Sequence, residues 1–141
     1  MHKLIAIYNV WGDSLELLQG SIEQIREHVD CVCVVAQEMS NGGEIDKNVY
    51  PYLHYLQGKG LIDQIIYYSP KPGNRLDNEK TKRQLGIEHA IEKGYTHFIH
   101  LDCDEYYHGD EFKKHYVIIS ATNPPGGINS KPPIFPFGSY L

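Results

Sequence analysis

Three carboxylates lie within four positions of one another, directly after an apolar run. Asp102, Asp104 and Glu105 follow residues 96–101, which read THFIHL. Side chains two apart on a strand project to the same side, so the spacing predicts that Asp102 and Asp104 point the same way. Neighbouring carboxylates repel unless positive charge stands between them. The pattern therefore predicts a hard divalent cation, Mn²⁺ or Mg²⁺, bound by Asp102 and Asp104. The alternative is a solvent-exposed strand end, because Asp-x-Asp is a short and common pattern.

A second charged segment, GNRLDNEKTKRQLG at residues 73–86, precedes the acids. Its cations are Arg75, Lys80, Lys82 and Arg83. We predict a helix over residues 79–93 with Asn78 as its N-cap and Gly94 as its stop, which puts most of these cations near the helix start. Cations there oppose the helix macrodipole at a cost of a few tenths of a kcal/mol each, unless an anion docks among them. The segment therefore predicts a phosphate site, and the alternative is a basic, solvent-exposed helix face.

The remaining sequence predicts the elements that would hold these charges. Apolar runs suited to buried strands occur at residues 3–10, 31–36, 63–68 and 96–102. Further helices are predicted at residues 13–28, near Pro51 and at residues 108–116. Alternating strands and helices, with strands apolar on both faces, predict an α/β, Rossmann-like, mostly parallel sheet covered by helices on both faces. Ligands of such sheets bind outside the carboxyl ends of the strands, where Asp102 and Asp104 would lie.

Length and composition exclude several classes of protein. A chain of 141 residues suits one domain, which we assign to residues 1–120, followed by a Pro/Gly-rich tail at residues 121–141. The net charge of −5 gives no reason to expect nucleic acid as a partner. No apolar stretch approaches the roughly 20 residues that span a bilayer. Cys31, Cys33 and Cys103 all lie in apolar segments, which favours buried thiols in a reducing cytoplasm.

The two charged segments together predict one ligand. A cation held by acids, beside basic residues at a helix, suits a nucleoside diphosphate, because the metal bridges phosphate oxygens while the cations take the remaining charge. No Ser-His-Asp arrangement, Walker-type loop or GxGxxG loop is present to suggest another chemistry.

These segments resemble the nucleotide-sugar half of family 2-like glycosyltransferases of the GT-A fold. The resemblance covers about residues 3–116 and is carried by IAIYNVW, CVCVVAQEMSNGGE, GNRLDNEKTKRQLGIEHA and THFIHLDCDEYY. It implies binding of a nucleotide-diphosphate sugar through Mn²⁺ or Mg²⁺. It also implies transfer of the sugar to a hydroxyl of a saccharide or another acceptor.

The resemblance further implies roles for individual residues. Asp102 and Asp104 match the Asp-x-Asp motif, in which the second carboxylate usually binds the metal and the first helps to hold the metal or the ribose. The other positions implied to contact the nucleotide-sugar are Tyr8, Asn9, Gln37, Glu38, Asn78, Lys82 and Arg83. No catalytic residue is assigned. Glu105 and Asp110 are general-base candidates from their proximity to the motif alone.

Two departures from the family pattern keep alternatives open. Val10 stands where many relatives carry an acid, and Gln37-Glu38-Met39-Ser40 replaces the usual Asp-Asp-Gly-Ser. The chain after Asp104 is also short for an acceptor-binding half, so we expect either a non-catalytic nucleotide-binding or interaction module, or a site completed by a partner chain. An uncovered sheet edge would favour a homodimer. A nucleotidyltransferase would use the same metal and phosphate chemistry.

Overall fold

A parallel sheet forms the centre of the molecule. The computed structural model describes residues 3–13, 15–40, 43–71 and 75–106, and the backbone of residues 117–118. In these residues the parallel strands are β1 (Leu4–Val10), β2 (Cys31–Ala36), β3 (Gln64–Tyr67) and β4 (His97–Leu101). A short strand, β5 (Val117–Ile118), pairs antiparallel with β4. The strand order is β3-β2-β1-β4-β5. The chain therefore adds β2 and β3 on one side of β1, and then β4 and β5 on the other side.

Helices cover both faces of the sheet, which confirms the predicted α/β, Rossmann-like fold class. They are α1 (Leu18–Ile25), α2 (Val49–Gly58) and α3 (Arg75–Glu92), and short 3₁₀ turns flank α1 at Leu15–Leu17 and Arg26–His28. Helices α1 and α2 pack on one face and α3 packs on the other. None of the helices in the described part of the chain is long and apolar enough to cross a membrane.

The face under α1 and α2, here called the α1 face, is a closed apolar core. Leu18, Ile22 and Ile25 of α1 are fully buried there, because their spacing of three and four residues places them on one side of the helix. Alternate residues of the strands, among them Tyr8 and Leu101, point into the same cluster. This face contributes stability through burial of apolar surface.

The opposite face, here called the α3 face, changes character along its helix. The buried stripe of α3 recurs every four residues as Asn78, Lys82, Gly86 and Ala90. Gly86 lies directly over β1, where an added Cβ would approach Ile7 Cγ2 to 2.5 Å, so only glycine lets the helix lie this close. The stripe is therefore small and apolar in its second half and polar in its first half, which lies toward the carboxyl ends of the strands.

The start of α3 differs from the prediction. The helix already includes Arg75, so Asn78 is an interior residue and the predicted N-cap is wrong. Lys82 and Arg83 consequently lie about two turns into the helix, not in its first turn. Gly94, with φ of 82°, follows the helix and ends it as predicted. The predicted helix at residues 108–116 and the tail at residues 121–141 lie outside the described residues.

Candidate functional site

A crevice opens where the winding of the chain reverses, between the carboxyl ends of β1 and β4. This topological switch point is where open α/β sheets bind their ligands. The crevice has a volume of about 380 Å³. Its described lining residues are Asn9, Trp11, Asp13, Gln37, Ser40, Arg75, Glu79, Lys82, Arg83 and Asp102.

Five of the residues predicted to contact a nucleotide-sugar lie together in this crevice. Strand alternation turns Asn9 toward α3, because its neighbour Tyr8 belongs to the α1 face. Gln37 directly follows the last residue of β2, Ala36, and lines the same crevice. Lys82 and Arg83 come from α3, and Asp102 follows β4; the five are Asn9, Gln37, Lys82, Arg83 and Asp102. The crevice thus combines residues from three strand ends and one helix.

Two buried acceptor oxygens in the crevice have no hydrogen-bond partner among the residues that the structure describes. They are Asn9 Oδ1 and Gln37 Oε1. The orientation of the Gln37 amide is fixed, because its Nε2 donates to the Met39 carbonyl at 2.7 Å and its oxygen must point elsewhere. A buried acceptor left unpaired costs about 1–3 kcal/mol, so a ligand that donates N–H or O–H groups here would recover this cost.

The cations of the crevice reach it from the flank of α3. Lys82 is 5% exposed, and its Nζ lies 3.1 Å from Glu79 Oε1, so its buried charge is paired. Arg83 lines both the crevice and a neighbouring cavity, which is also lined by His100. Arg75, in the first turn of α3, adds a third positive charge at the more exposed side. An anion in the crevice would therefore face Lys82, Arg83 and Arg75.

The acids after β4 form a tight turn, here called the acidic turn (residues 102–105). Because β4 ends at Leu101, strand alternation does not apply to Asp102 and Asp104, and the predicted reason for their shared direction is wrong. The Glu105 N–H donates to the Asp102 carbonyl at 3.1 Å, and the Asp102 N–H donates to Glu105 Oε1 at 2.9 Å. The turn nevertheless brings both aspartates to one cavity of about 250 Å³.

The donor set of this second cavity suits a hard divalent cation. Asn9, Asp13, Asp102 and Asp104 line it and offer oxygen atoms, including the unpartnered Asn9 Oδ1. Among the described residues, no three His, Cys, Asp or Glu side chains converge closely enough to hold a metal ion by themselves. Mg²⁺ and similar ions are often held by one or two carboxylates together with substrate phosphates and water. The residues fit a divalent cation that binds together with a phosphate-bearing ligand.

The pKa of Asp102 is raised, chiefly by burial and then by the nearby Glu105 carboxylate, while the Arg83 guanidinium opposes the shift. A raised pKa means that ionising the Asp102 carboxyl group costs more free energy in the folded protein than in water. A cation at this position would favour the ionised form and offset the repulsion between Asp102, Asp104 and Glu105.

Tyr8 does not reach the crevice. It is fully buried on the α1 face, and its hydroxyl lies 2.7 Å from Ser21 Oγ. Burial raises the pKa of the phenol, so the hydroxyl stays protonated. The structure thus corrects the role inferred for Tyr8 from the resemblance and gives it a structural one.

Two further predicted residues also lie outside the crevice lining. Glu38 directly follows Gln37 but does not line the crevice. Its carbonyl accepts a hydrogen bond from Trp11 Nε1 at 3.3 Å. Asn78 shapes the loop before α3, because its Oδ1 accepts from the Lys71 N–H at 2.9 Å and its Nδ2 donates to the Lys71 carbonyl at 2.8 Å. Contact of Glu38 or Asn78 with a ligand stays a prediction without support from this geometry.

Sequence reasoning missed Asp13 as a site residue. The pattern suggested that Asp13 begins a helix, whereas it lines both the crevice and the smaller acidic cavity. The sequence did indicate that Asp13 could lie near the site, because it follows Asn9 by four residues in the loop after the carboxyl end of β1. It supplies an acid at this edge, where Val10 departs from the family pattern.

No protein-family model matches this sequence, and no curated protein matches it either. The likeness to family 2-like glycosyltransferases therefore stays a prediction. What the site can do follows from its own residues, which are acids on the β4 side, cations on the α3 side and two acceptor oxygens between them.

Proposed function

We propose that the crevice binds a nucleotide-diphosphate sugar together with Mn²⁺ or Mg²⁺, and that the protein transfers the sugar to an acceptor hydroxyl. The observation that carries this proposal is the pairing of Asp102 with Lys82 and Arg83 in one crevice at the switch point of the sheet. A bare phosphate site needs only the cations and a bare metal site needs only the acids. A metal–diphosphate complex needs both.

Each part of the crevice has a role in this proposal. Asp102 and Asp104 would hold the cation, and Lys82 and Arg83 would take the charge of phosphate oxygens that the cation leaves uncovered. The acceptor oxygen of Gln37 would receive a hydrogen bond from an N–H or O–H group of the base or ribose, while Asn9 Oδ1 would add an oxygen ligand to the cation. The Gln37 amide, held by its hydrogen bond to the Met39 carbonyl, favours a single orientation of the nucleoside.

In the transfer step, the bond between the anomeric carbon and the diphosphate oxygen breaks, and a bond from the acceptor oxygen to that carbon forms. The hydroxyl proton leaves to a base or to water. A bound divalent cation supplies Lewis-acid stabilisation of the departing diphosphate. Lys82 and Arg83 would assist by neutralising the charge that develops on the leaving group.

Calorimetric titration of UDP, GDP and UDP-glucose, with and without Mn²⁺, tests the proposal on the wild-type chain and on Asp104→Asn. We expect Mn²⁺-dependent binding that weakens by about tenfold or more in the variant, because a ligand to the cation is lost. Asp104 is exposed, so the melting temperature should not fall. Glu27→Gln, which neutralises an exposed acid in the 3₁₀ turn after α1, is the matched control and should bind like the wild type.

The result contradicting the proposal is a wild-type chain that binds none of these nucleotides in either condition. Where binding occurs, release of UDP from UDP-glucose in the presence of candidate acceptors tests transfer itself. Binding without release would favour a nucleotide-binding module, and pyrophosphate release from nucleoside triphosphates would favour a nucleotidyltransferase. A cytoplasmic location and a homodimer stay predictions.

A further inference from the structure

The acidic turn is fastened to α1, on the opposite side of the molecule from the cations of α3. Ser21 Oγ donates a hydrogen bond to the Glu105 carbonyl. The Tyr106 hydroxyl donates to the Leu17 carbonyl at 2.9 Å. Glu105, at the end of the turn, and Tyr106, which follows it, are thus tied to α1 and to the 3₁₀ turn before it, although neither Ser21 nor Leu17 lines the crevice.

A buried hydroxyl of β1 completes the first of these ties. The Tyr8 hydroxyl lies 2.7 Å from Ser21 Oγ, and both side chains are fully buried. Because Ser21 uses its proton on the Glu105 carbonyl, Tyr8 must be the donor to Ser21. The resulting series of hydrogen bonds runs from β1 through α1 to the acidic turn, and water cannot replace its members without opening the core.

A glycine makes room for the second tie. A Cβ added at Gly20 would lie 2.6 Å from the Tyr106 hydroxyl oxygen and 3.1 Å from its ring carbon Cε2. Any other residue at position 20 therefore conflicts with Tyr106 in its present place. The Tyr106 side chain is 48% exposed, so it can swing into solvent and relieve the conflict without disturbing the core.

We propose that Gly20, Ser21 and Tyr106 are positioning residues, which set where Asp102 and Asp104 stand relative to the cations of α3. Neither Gly20, Ser21 nor Tyr106 lines the crevice or the acidic cavity; they act through the backbone of residues 102–106. The ligand whose affinity they govern is the metal–nucleotide complex, so this inference rests on the proposed function. It adds that affinity for this complex depends on α1, a helix outside the binding site.

Gly20→Ala separates a positioning role from a structural one. Alanine favours a helix over glycine, so the melting temperature should stay unchanged or rise. Displacement of Tyr106 should loosen the acidic turn and weaken Mn²⁺-dependent UDP binding by about tenfold, as for other residues that orient metal ligands. Gly58→Ala in α2 is the matched control, because its added Cβ meets no atom of the described residues within 4 Å. The UDP affinity of this variant should equal that of the wild type.

Amide hydrogen exchange, measured by NMR on the full chain without metal or nucleotide, tests the anchoring independently of the ligand. In Gly20→Ala and Ser21→Ala, the amides of Asp102 and Glu105 should exchange faster than in the wild type, whereas in Gly58→Ala they should not. Unchanged exchange in both variants would overturn the anchoring. Faster exchange with unchanged UDP affinity would overturn the positioning role. Faster exchange in a protein whose wild type binds no nucleotide would support the anchoring and contradict the proposed function.

Discussion

The two faces of the sheet are built from the same strands and both carry an apolar core, but they differ at the carboxyl ends of the strands. On the α1 face, alternate strand residues meet the apolar stripe of α1 and form a closed core. At the end of three strands, the residue that directly follows a core residue of the α1 face is polar and lines the crevice on the α3 face. The pairs are Tyr8 and Asn9, Ala36 and Gln37, and Leu101 and Asp102.

The helices explain why the faces differ. Helix α1 presents large apolar side chains along its buried length, so it seals its face of the sheet. The second half of helix α3, where Gly86 and Ala90 are buried, packs closely against the sheet. Its first half instead carries the buried polar residues Asn78 and Lys82. A helix whose buried stripe changes from polar to apolar can pack at one end and bind at the other. The comparison teaches that the apolar core of the α1 face governs stability, whereas binding in the proposed function depends on the open half of the α3 face and on the polar contact by which α1 holds the acidic turn.

The largest expected effect is a loss of stability from the α1 face. Ile22→Ala should lower the free energy of unfolding by about 2–5 kcal/mol, because a fully buried side chain is replaced by a cavity. Urea unfolding followed by circular dichroism measures this loss. The UDP affinity of the folded fraction should stay within about twofold of the wild type if stability and binding are separate. A change in affinity as large as the change in stability would break the division between the faces.

Much of the fold could be predicted because the strands are apolar runs bounded by polar turns. The start of α3 could not, because Asn78 has the residue type of an N-cap yet serves as an interior side chain that binds the loop at Lys71. Its identity was compatible with both roles. The hydrogen bonds of Asn78 with Lys71 and with the Tyr68 hydroxyl show that it takes the interior role.

The site was predicted in part, for a similar reason. Alternation along β1 implies that only one of Tyr8 and Asn9 can face the ligand, but the sequence does not say which face carries the crevice. The acidic turn gathers Asp102 and Asp104 through hydrogen bonds within the turn and to α1, not through strand geometry. Residue types near strand ends indicated the candidate residues, while tertiary contacts determine which of them line the crevice.

The next effect concerns His100, a buried residue of the α3 face whose two ring nitrogens have no hydrogen-bond partner in the described part of the chain. Burial, aided by the Arg83 guanidinium, lowers the pKa of His100 to about 3, well below its unfolded value of about 6.5. The folded state therefore disfavours the imidazolium, so stability is fully present above about pH 6.5 and falls as the pH drops toward 3. The expected loss is about 2 kcal/mol between pH 7.5 and pH 5.

His100→Phe should remove this dependence and raise stability at pH 7.5, because unpaired buried nitrogens are replaced by a ring of similar size. Urea unfolding at pH 7.5 and pH 5, in the presence of EDTA, compares the variant with the wild type. The raised pKa of Asp102 has the opposite effect, because it stabilises the fold as the pH falls. Asp102 is present in both proteins, so its contribution cancels when their pH dependences are compared. Equal pH dependence in the two proteins would show that His100 is not the titrating group.

The smallest effect sharpens the comparison within α3 itself. Lys82→Met should weaken UDP binding by about tenfold, equivalent to about 1.4 kcal/mol, because a charge facing the diphosphate is lost. Stability should change little, since Glu79, its partner, is 41% exposed and can be solvated. Lys80→Met removes a charge from an exposed side of the same helix, outside the crevice lining, and is the control. Uridine, which lacks phosphate, should bind both variants equally, so a matching loss of uridine affinity would mean that Lys82 shapes the crevice and does not bind the diphosphate.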